Sequence, residues 1–293
     1  MSTGRKADVT VVIPTLGRPI LHRALDALAA GTRLPTEVVV VDQGESSEVE
    51  AMVRALAARG IPARWIPSTE RGRAAGVNRG IEASTTRFVA ITDDDCLAHP
   101  EWLESLVQRL EEDPEGIVTG RVDPGDDTVL SAATSRSPFT QRKPSLRFDR
   151  LSGGNMGMAR SIVARIGGLD EDPVLRTAED AEFAYRALRA GVAVRYAPEA
   201  VVTHLGWRDD AAREGQYADY ARSHGGFYGK YLRRGDAFIA LRAALHWMRA
   251  TRRWAANTMR GDRERAGAAR AYVVGLFAGI RAGWRHSSRP KDR

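Results

Sequence analysis

The sequence predicts an α/β protein with a Rossmann-like, doubly wound and mainly parallel sheet, followed by a helical C-terminal extension. Two β-branched runs, at residues 8–13 and 37–41, and a weaker third strand at 63–66 alternate with segments of helical spacing. A further run, 88–91, is apolar at every position, as expected of a strand that is covered on both faces. Strands that alternate with helices form parallel sheets, and open α/β sheets bind ligands at the carboxyl ends of their strands.

The first two strands end in polar loops at that ligand-binding edge. Pro14 closes the first strand, and residues 15–19 contain the glycine and proline of a loop that leads into a helix. Asp42 closes the second strand. An acid at this position is typical of ribose or base recognition, although it also serves as an N-cap or a turn residue.

Residues 69–80, after the third strand, combine glycines and a helix start with Arg71, Arg73 and Arg79. Backbone N–H groups at a helix start and nearby guanidinium groups both bind phosphate. The segment lacks the Walker lysine pattern and the dinucleotide spacing Gly-x-Gly-x-x-Gly. We therefore expect a phosphate site that belongs to neither of those nucleotide-binding classes.

Three consecutive carboxylates, Asp93, Asp94 and Asp95, follow the central strand. They would repel one another unless a positive charge lay among them. Alternate residues of an extended segment point the same way, so Asp93 and Asp95 are expected to offer oxygen ligands to one Mg²⁺ or Mn²⁺ ion. The alternative is a solvated acidic turn that caps the next helix.

Beyond these acids, a helix is predicted at 100–110 and a strand at 116–122. Residues 123–150 are polar and show little periodicity, which is typical of a long acceptor-binding loop and equally compatible with disorder. The glycine-rich residues 151–158 follow. Here the backbone is expected either to approach a ligand closely or to form a tight turn.

A second acidic cluster lies near the end of the predicted sheet. Thr177 is a candidate N-cap that places Glu179 and Asp180 in the first turn of a helix, where the helix dipole keeps carboxylates ionised. An ionised carboxylate suits a general base, although capping alone also explains acids at this position. Two last strands are predicted at 192–196 and 200–204. His204 ends the second one and, taken alone, is better explained as a structural histidine than as a ligand.

Composition limits the classes of protein that remain. The 293 residues include one cysteine, Cys96, which excludes an intramolecular disulfide and a multi-cysteine zinc site. The N-terminus has no apolar signal segment, and the uncharged apolar run at 271–280 is shorter than a bilayer-spanning helix. We therefore expect neither secretion nor a transmembrane anchor, and a cytoplasmic location.

Six segments occur in the order found in family 2 glycosyltransferases, and the chain resembles that family over residues 8–206. They are Val-Val-Ile-Pro-Thr at 11–15, Val-Val-Val-Val-Asp at 38–42, Gly-x-x-x-Gly-x-Asn-x-Gly at 72–80, Asp-Asp-Asp at 93–95, Gly-Gly-Asn-Met-Gly-Met at 153–158 and Glu-Asp at 179–180. The resemblance implies the GT-A fold. It also implies transfer of a sugar from a nucleotide diphosphate sugar to an acceptor hydroxyl, with inversion at the anomeric carbon.

The resemblance further implies roles for individual residues. Asp180 is expected to be the catalytic base, with Glu179 as the reserve candidate. The residues expected to bind the nucleotide sugar are Pro14, Thr15, Arg18, Asp42, Arg71, Gly72, Asn78, Asp93, Asp94, Gly154 and Asn155. Asp95, Asp93 and His204 are expected to hold Mn²⁺ or Mg²⁺. A UDP-sugar donor is favoured over GDP- and dTDP-sugars, and the acceptor is expected to be a glycan or a lipid-linked molecule.

Charge divides the chain near residue 220. Residues 1–220 contain 27 basic and 33 acidic residues, a net charge of −6, whereas 221–293 contain 17 and 4, a net charge of +13. We predict a catalytic domain at 1–220, with a nucleotide-binding part at about 8–122 and an acceptor part at about 123–206. A basic amphipathic helical extension is predicted at 221–293.

The extension is expected to bind an anionic membrane surface. Its apolar residues recur at helical spacing beside arginines, and Trp247, Trp254 and Trp284 suit the headgroup region. Helices packed on the catalytic domain or in a dimer are the alternative. Nucleic acid is disfavoured as a partner because no nucleic-acid motif accompanies the charge. We expect peripheral attachment at the inner face of the cell membrane, and the sequence does not indicate the oligomeric state.

Two other functions remain open. One is a sugar-nucleotide-binding module or membrane-docked scaffold without turnover, and the other is a nucleotidyltransferase. The first would bind the donor without converting it. The second would release pyrophosphate, whereas a glycosyltransferase of this kind releases a nucleoside diphosphate.

Overall fold

The computed structural model describes residues 7–125, 133–205 and 210–286. Contacts divide the chain into two compact units. The first comprises Met1–Pro144, Arg150–Leu169 and Phe183–Trp207, and the second comprises Ser145–Asp149, Asp170–Glu182 and Arg208–Arg293. Residues 126–132 of the predicted loop, residue 206 at the end of the family resemblance and the termini of the predicted domains lie outside the described residues.

Within the described ranges, the first unit is built on one mixed sheet of nine strands. In chain order they are β1 (Ala7–Thr15), β2 (Pro35–Asp42), β3 (Ala63–Pro67), β4 (Phe88–Thr92), β5 (Cys96–Ala98), β6 (Ile117–Pro124), β7 (Phe139–Gln141), β8 (Asn155–Ala159) and β9 (Val194–His204). Their order across the sheet is β3-β2-β1-β4-β8-β6-β9-β5, and β7 pairs with β9 outside this path.

The first four strands form the parallel part that the sequence predicts. β1 lies between β2 and β4, and β3 pairs with β2, all in parallel. Beyond β4 the sheet is mixed: β8 is antiparallel to both of its neighbours, β6 and β9 are parallel to each other, and β5 is antiparallel to β9. The carboxyl ends of β1, β2 and β4 therefore meet at one edge of the sheet.

Helices cover both faces of this sheet. They are α1 (Leu21–Ala29), α2 (Ser47–Ala58), α3 (Arg73–Ala83), α4 (Trp102–Glu112), α5 (Arg160–Ile166) and α6 (Glu179–Arg189), whose first turn belongs to the second unit. In β4, Phe88 and Ala90 join one core cluster, whereas Val89 and Ile91 join the other. Since side chains alternate across a strand, both faces of β4 are buried. The predicted α/β class and doubly covered central strand are confirmed.

The glycine-rich segment contains a strand that the sequence did not predict. Asn155–Ala159 is β8, which lies between β4 and β6 and is buried at every position. A Cβ atom at Gly157 would lie 2.9 Å from Cδ2 of Leu106, so glycine permits α4 to pack closely on the strand. Small residues carry little strand signal, and close packing rather than ligand approach explains this glycine.

Two further elements differ from the predictions. The strands predicted at 192–196 and 200–204 are one strand, β9, whose register against β6 shifts between Gly120 and Arg121. Residues 139–141 of the predicted loop form the short strand β7, which pairs antiparallel with β9. The loop is thus partly tied to the sheet within its described residues.

The second unit is helical. Three long helices, α7 (Asp210–Arg233), α8 (Ala237–Met259) and α9 (Arg263–His286), follow the sheet, and a short 3-10 helix lies at Pro173–Leu175. The predicted boundary between residues 220 and 221 falls inside α7, and the predicted division into domains stays a prediction. Among the described residues, no helix combines the length and the apolarity needed to cross a membrane.

Glycines allow α7 and α9 to pack with almost no gap. A methyl group at Gly279 would collide with the backbone oxygen of Arg222, and one at Gly283 would collide with that of Gly226. The backbones of the two helices therefore approach each other closely at these glycines. This packing explains why so glycine-rich a segment as α7 is helical, a state that its local sequence disfavours.

Candidate functional site

Four side chains meet where β1 and β4 end. The Thr15 hydroxyl donates a hydrogen bond of 2.6 Å to Oδ2 of Asp94. Arg18 Nε donates to the same oxygen at 3.0 Å, and Arg18 Nη1 lies 3.2 Å from Oδ2 of Asp95. β1 and β4 are neighbours in the sheet, so the loop after β1 delivers a guanidinium group to the carboxylates that follow β4.

The charges of this site are balanced inside the protein. Burial raises the pKa of Asp94, an effect that Arg18 and Thr15 oppose. Burial also acts to raise the pKa of Asp95, but the hydrogen bond and charge of His204, together with Arg18, lower it below its ordinary value. In turn, Asp95 overcomes the effect of burial on His204 and raises the pKa of its imidazole. The Arg18 guanidinium and the His204 imidazole are thus the groups whose contacts offset the burial of these two carboxyl groups.

Asp95 and His204 form a candidate metal group with Cys96. The Nε2 atom of His204 lies 3.4 Å from Oδ1 of Asp95, and the three potential ligand atoms all lie within 4.8 Å of one another. They meet because Cys96 and His204 are paired residues of the antiparallel strands β5 and β9. Carboxylate oxygen and imidazole nitrogen suit Mn²⁺, so the donor set fits the predicted divalent cation.

Asp93 has a different partner from Asp95. Its Oδ1 atom accepts a hydrogen bond of 2.8 Å from Nε of Arg73, at the start of α3. The extended conformation that was expected to place Asp93 and Asp95 on one face is not observed, because a turn begins here and the amide of Cys96 donates to the carbonyl of Asp93 at 3.1 Å. A metal contact from Asp93 stays a prediction.

Asp42 organises the loop after β2. Its Oδ1 accepts from the amide of Gly44 at 2.9 Å, and its Oδ2 accepts from the amide of Ser46 at 2.7 Å and from Nε1 of Trp65 at 3.2 Å. The side chain is fully buried. Asp42 therefore acts in this structure as the turn-forming acid that the sequence offered as the alternative, and a direct contact with a nucleoside stays a prediction.

A cavity of about 510 Å³ opens beside the ends of β2 and β3. It is lined by Glu45, Pro67, Ser68, Thr69, Glu70 and Arg79. Gln43 fixes one wall, since its Nε2 atom donates to the carbonyls of Glu70 and Gly72 at 2.6 and 2.9 Å. The sequence did not single out this role, which depends on contacts between loops 27 and 29 residues apart.

Residues 71–78 include three residues that were predicted to bind the nucleotide sugar, and their surroundings differ. Arg71 is exposed, and Gly72, which immediately precedes α3, has a φ of 121°, a conformation that favours glycine. Asn78 makes two hydrogen bonds of 2.8 Å to the backbone of Leu169, one as donor and one as acceptor. Asn78 therefore joins α3 to the chain beyond α5, and its predicted contact with a nucleotide stays a prediction.

The residues of the glycine-rich segment also have structural contacts. Asn155 is fully buried, accepts a hydrogen bond of 2.8 Å from Nε1 of Trp102 and donates to the carbonyls of Arg121 and Ala200 at 2.9 Å each. Gly154 is different, because a Cβ atom there would lie 2.8 Å from Oδ2 of Asp93. A side chain at Gly154 would therefore collide with the acidic turn, and a contact of this glycine with a ligand stays a prediction.

Pro14 is held close to α3. A Cβ atom at Gly76 would lie 2.8 Å from Cβ of Pro14, so only glycine allows the helix to approach the end of β1 at this distance. Thr15 follows at once with its hydroxyl on Asp94. Of the residues predicted to bind the nucleotide sugar, the structure therefore brings together Pro14, Thr15, Arg18, Asp93, Asp94 and Gly154 in the first unit.

The predicted bases lie at the start of α6, in the second unit. Glu179 is buried, whereas Asp180 is partly exposed and accepts a hydrogen bond of 2.7 Å from the amide of Ala181. Burial lowers the pKa of nearby His224, and the charge of Asp180 opposes that effect. The predicted N-cap bond of Thr177 is not formed, because its buried hydroxyl has no hydrogen-bond partner among the described residues.

Comparison with known proteins identifies relatives of a large part of this chain. The sequence model of Glycosyl transferase family 2 matches residues 10–166. The pre-mycofactocin glycosyltransferase of Mycobacterium tuberculosis (strain CDC 1551 / Oshkosh) is 31% identical over 226 residues, which cover 73% of this chain and 47% of that protein. The hyaluronan synthase of Pasteurella multocida is 24% identical over 223 residues, covering 62% and 23%. The chain thus spans half or less of the length of these curated relatives.

Solved structures share the fold at low sequence identity. The mannosyltransferase PcManGT from Pyrobaculum calidifontis, in complex with GDP-Man and Mn²⁺, has a TM-score of 0.65 and 22% identity, covering 97% of this chain and 84% of that one. GalNAc-T7 with UDP, GalNAc and Mn²⁺ has a TM-score of 0.58 and 17% identity, covering 78% and 51%. These similarities confirm the predicted GT-A fold.

Proposed function

The chain belongs to glycosyl transferase family 2, and from that membership we propose that it is an inverting, metal-dependent glycosyltransferase. It transfers a sugar from a nucleotide diphosphate sugar to a hydroxyl of a glycan or a lipid-linked acceptor. The observation that carries this proposal is the meeting of Thr15, Arg18, Asp94, Asp95 and His204 where β1, β4 and β9 end. Such an edge is where an open α/β sheet binds its ligand.

The nucleoside is assigned to the cavity beside β2 and β3. Its volume of about 510 Å³ is of the size expected for a small-molecule site, and the loop held by Asp42 and Gln43 forms its surroundings. The diphosphate lies towards Arg71, Gly72 and the start of α3, where backbone N–H groups and guanidinium charge favour anions. A UDP-sugar is the favoured donor. PcManGT is complexed with GDP-Man and GalNAc-T7 with UDP, so donors of both kinds belong in the test.

Asp95 and His204 would hold the divalent cation, Mn²⁺ or Mg²⁺, which supplies positive charge against the leaving diphosphate. Arg18 contributes fixed charge to the same place, since it lies on both Asp94 and Asp95. Arg73 holds the carboxylate of Asp93, which orients the turn that carries Asp95. The protein thereby stabilises the negative charge that develops on the nucleoside diphosphate as the glycosidic bond breaks.

Asp180 is the proposed base, and Glu179 is the reserve candidate. Asp180 is partly exposed and thus accessible to an acceptor, whereas the carboxylate of Glu179 is buried. The Asp180 carboxylate takes the proton of the acceptor hydroxyl while the oxygen bonds to the anomeric carbon and the nucleoside diphosphate leaves. A positioned base of this kind contributes about 10²- to 10⁴-fold to the rate.

The second unit is proposed to rest on an anionic membrane surface at the cytoplasmic side. One face of α9 exposes Val274, Phe277 and Trp284 to between 52 and 60%. Arg270, Arg281 and Arg285 share that exposed face at helical spacing. The apolar side chains would enter the boundary of the acyl chains, and the arginines beside them would contact the anionic headgroups. We retain the division into a catalytic domain at 1–220 and a basic extension at 221–293 as part of this proposal.

Product analysis tests the proposed reaction. The full chain is incubated with UDP-, GDP- and dTDP-sugars, Mn²⁺ or Mg²⁺ and candidate acceptors, and the released nucleotide is identified. We expect a nucleoside diphosphate with one donor class, and loss of its release in excess chelator. Release of pyrophosphate would identify a nucleotidyltransferase instead. Metal-dependent donor binding without turnover across acceptors would identify a binding module or scaffold.

A further inference from the structure

Cys96 lies inside the proposed cation site, although neither the proposed donor binding nor the proposed chemistry gives it a role. It is the single cysteine of the sequence, follows Asp95 directly and begins β5. Its side chain is buried, with 3% of the residue exposed. The antiparallel register pairs it with His204. The thiol is therefore held among potential ligands by the sheet itself.

The three potential ligand atoms have nearly the spacing that one small cation requires. A tetrahedral zinc ion with metal–ligand bonds of about 2.0 Å to nitrogen and oxygen and about 2.3 Å to sulfur holds its ligand atoms about 3.3–3.6 Å apart. Here His204 Nε2 lies 3.4 Å and Cys96 Sγ 3.9 Å from Oδ1 of Asp95, and no pair exceeds 4.8 Å. Small side-chain rotations bring all three atoms within reach of one ion.

Gly154 lies directly against both the thiol and the acidic turn. A Cβ atom at this position would lie 3.2 Å from Cys96 Sγ and 2.8 Å from Oδ2 of Asp93. The second distance is shorter than real Cβ contacts, so a larger residue would displace the acidic turn. Three protein ligands are the number found in catalytic rather than structural zinc sites.

We infer that Cys96 is the third protein ligand of the cation site, and that its sulfur makes the site bind Zn²⁺ or Co²⁺ more tightly than Mn²⁺ or Mg²⁺. The inference rests on the proposed function only in placing a cation at Asp95 and His204. Thiolate selects softer cations, whereas Mg²⁺ and Mn²⁺ prefer oxygen ligands, and the general affinity order of divalent ions acts in the same direction. Binding replaces the thiol proton, which is released to solvent. Zn²⁺ consequently displaces Mn²⁺ from this site.

Cobalt spectroscopy tests the inference on the full chain. The protein is stripped of metal, reduced with a phosphine rather than a thiol, and titrated with Co²⁺. We expect a sulfur-to-cobalt charge-transfer band in the near ultraviolet, saturating at one ion per chain and abolished by stoichiometric Zn²⁺. Because the chain has one cysteine, such a band can arise only from Cys96.

Two variants and a matched control locate the ligands. Cys96→Ser should abolish the band and weaken Zn²⁺ binding, measured against a chromogenic chelator, by at least about tenfold, since even outer contacts of a metal site contribute that much. His204→Ala should weaken Co²⁺ binding. His99→Ala is the control: His99 lies three residues beyond Cys96, but its imidazole bonds to Oγ1 of Thr203 at 3.0 Å, and its loss should leave the band unchanged.

The outcomes separate this inference from the proposed reaction. A folded wild-type protein that binds Co²⁺ without the charge-transfer band, or Zn²⁺ affinity that is equal in wild type and Cys96→Ser, overturns the inference. The wild-type spectrum decides the matter even where Cys96→Ser does not fold. A band in a protein that binds no nucleotide sugar with any cation supports the cysteine ligand and rejects the proposed function. Donor binding with Mn²⁺ but without a cobalt charge-transfer band supports the proposed function and rejects Cys96 as a ligand.

Discussion

Arg242 and Asp149 form an ion pair in the second unit at 2.6 Å, and neither side chain has any solvent exposure. Arg242 also donates through Nε to the carbonyl of Arg147 at 3.2 Å. The pair joins α8 to residues 145–149, which are remote from it in sequence but belong to the same unit. A buried charge that loses its partner is strongly destabilising, because the remaining charge has neither water nor a counterion.

We therefore predict that Asp149→Asn lowers the free energy of unfolding by about 3–5 kcal/mol. Urea unfolding followed by circular dichroism measures this change. The matched control is Asp219→Asn, which removes a carboxylate from an ion pair with Arg176 in the same unit, where both side chains are more than half exposed. An exposed pair contributes about 0–1 kcal/mol. Equal losses of unfolding free energy in the two variants would show that burial of the Arg242–Asp149 pair does not increase the cost of removing its carboxylate.

The packing of α7 on α9 gives a second prediction. Gly279→Ala places a methyl group on the backbone oxygen of Arg222, and we expect it to destabilise the second unit by about 1–3 kcal/mol or more. Gly267→Ala in the same helix is the control, because nothing lies within 4 Å of a Cβ atom there. Alanine has the higher helix propensity, so this control should raise stability by about 0.5–1 kcal/mol. Denaturant unfolding should therefore show a lower free energy of unfolding for Gly279→Ala and a higher one for Gly267→Ala.

A buried histidine gives the second unit a predicted acid sensitivity. The ring nitrogens of His246 lie 3.0 and 2.9 Å from the hydroxyls of Tyr228 and Tyr272. Burial first, and then the nearby charges of His224, Arg242, Arg249 and Arg253, lower the pKa of His246 to about 4. The unfolded chain, with an ordinary histidine pKa of about 6.5, binds this proton more readily.

This difference in pKa between the folded and unfolded states sets the direction in which stability changes with pH. Stability is fully present above about pH 6.5 and falls as the pH approaches 4, because protonation favours the unfolded state. The loss from this residue amounts to at most about 3.5 kcal/mol, since one pKa unit corresponds to about 1.4 kcal/mol. Denaturant unfolding between pH 7.5 and about 4.5 measures it. His246→Gln, which keeps a donor and an acceptor but does not titrate, should flatten the profile, and an equally steep profile in that variant would assign the effect elsewhere.

The proposed base gives a catalytic prediction. Asp180→Asn should lower kcat by about 10²- to 10⁴-fold and leave donor affinity unchanged, because an amide cannot accept the proton of the acceptor hydroxyl. Glu179→Gln is the matched comparison, and we expect it to affect kcat much less because this neighbouring carboxylate is buried. Release of nucleoside diphosphate and calorimetric donor binding measure the two effects. A larger loss of kcat in Glu179→Gln would move the base to that residue.

Local pattern predicted much of the first unit, for a physical reason. The unbroken apolar run of β4 and the polar residues that end β1, β2 and β4 are consequences of a sheet covered on both faces with a polar edge. Asp42 and Asp95 were thereby placed at one edge without any knowledge of contacts. What the pattern did not reveal was the partner of each charged group, such as Arg18 for Asp94.

The elements that were missed depend on distant contacts. β8 consists of small and unbranched residues whose strand conformation is imposed by β4 and β6 on either side. Asn78 pairs with Leu169, 91 residues away, and no local signal identifies such a pair. α7 contains glycines that disfavour an isolated helix but that allow the backbone of α9 to approach closely. Tertiary packing therefore decided the structure where intrinsic propensity was weak or opposed it.

The exposed face of α9 gives the last prediction. The ring of Phe277 packs against that of Trp247 on α8 with centroids 5.7 Å apart, so the apolar surface continues from one helix to the other. Each arginine near an anionic surface adds about 1 kcal/mol of attraction, which falls off within a Debye length of about 10 Å at 0.1 M salt. The full chain should therefore cosediment with phosphatidylserine vesicles at low salt, less so at high salt, and not with neutral vesicles.

Variants at this face should separate membrane binding from folding. Arg281→Glu should lower vesicle binding chiefly at low salt, and Phe277→Ser should lower it at every salt concentration, because one removes charge and the other removes apolar area. Arg54→Glu on α2 of the first unit carries the same charge change on an exposed side chain and should bind as the wild type does. Since Phe277 is 56% exposed, Phe277→Ser should cost little stability. Marked destabilisation of that variant, together with no lipid binding by the intact chain, would show that this face packs against protein instead.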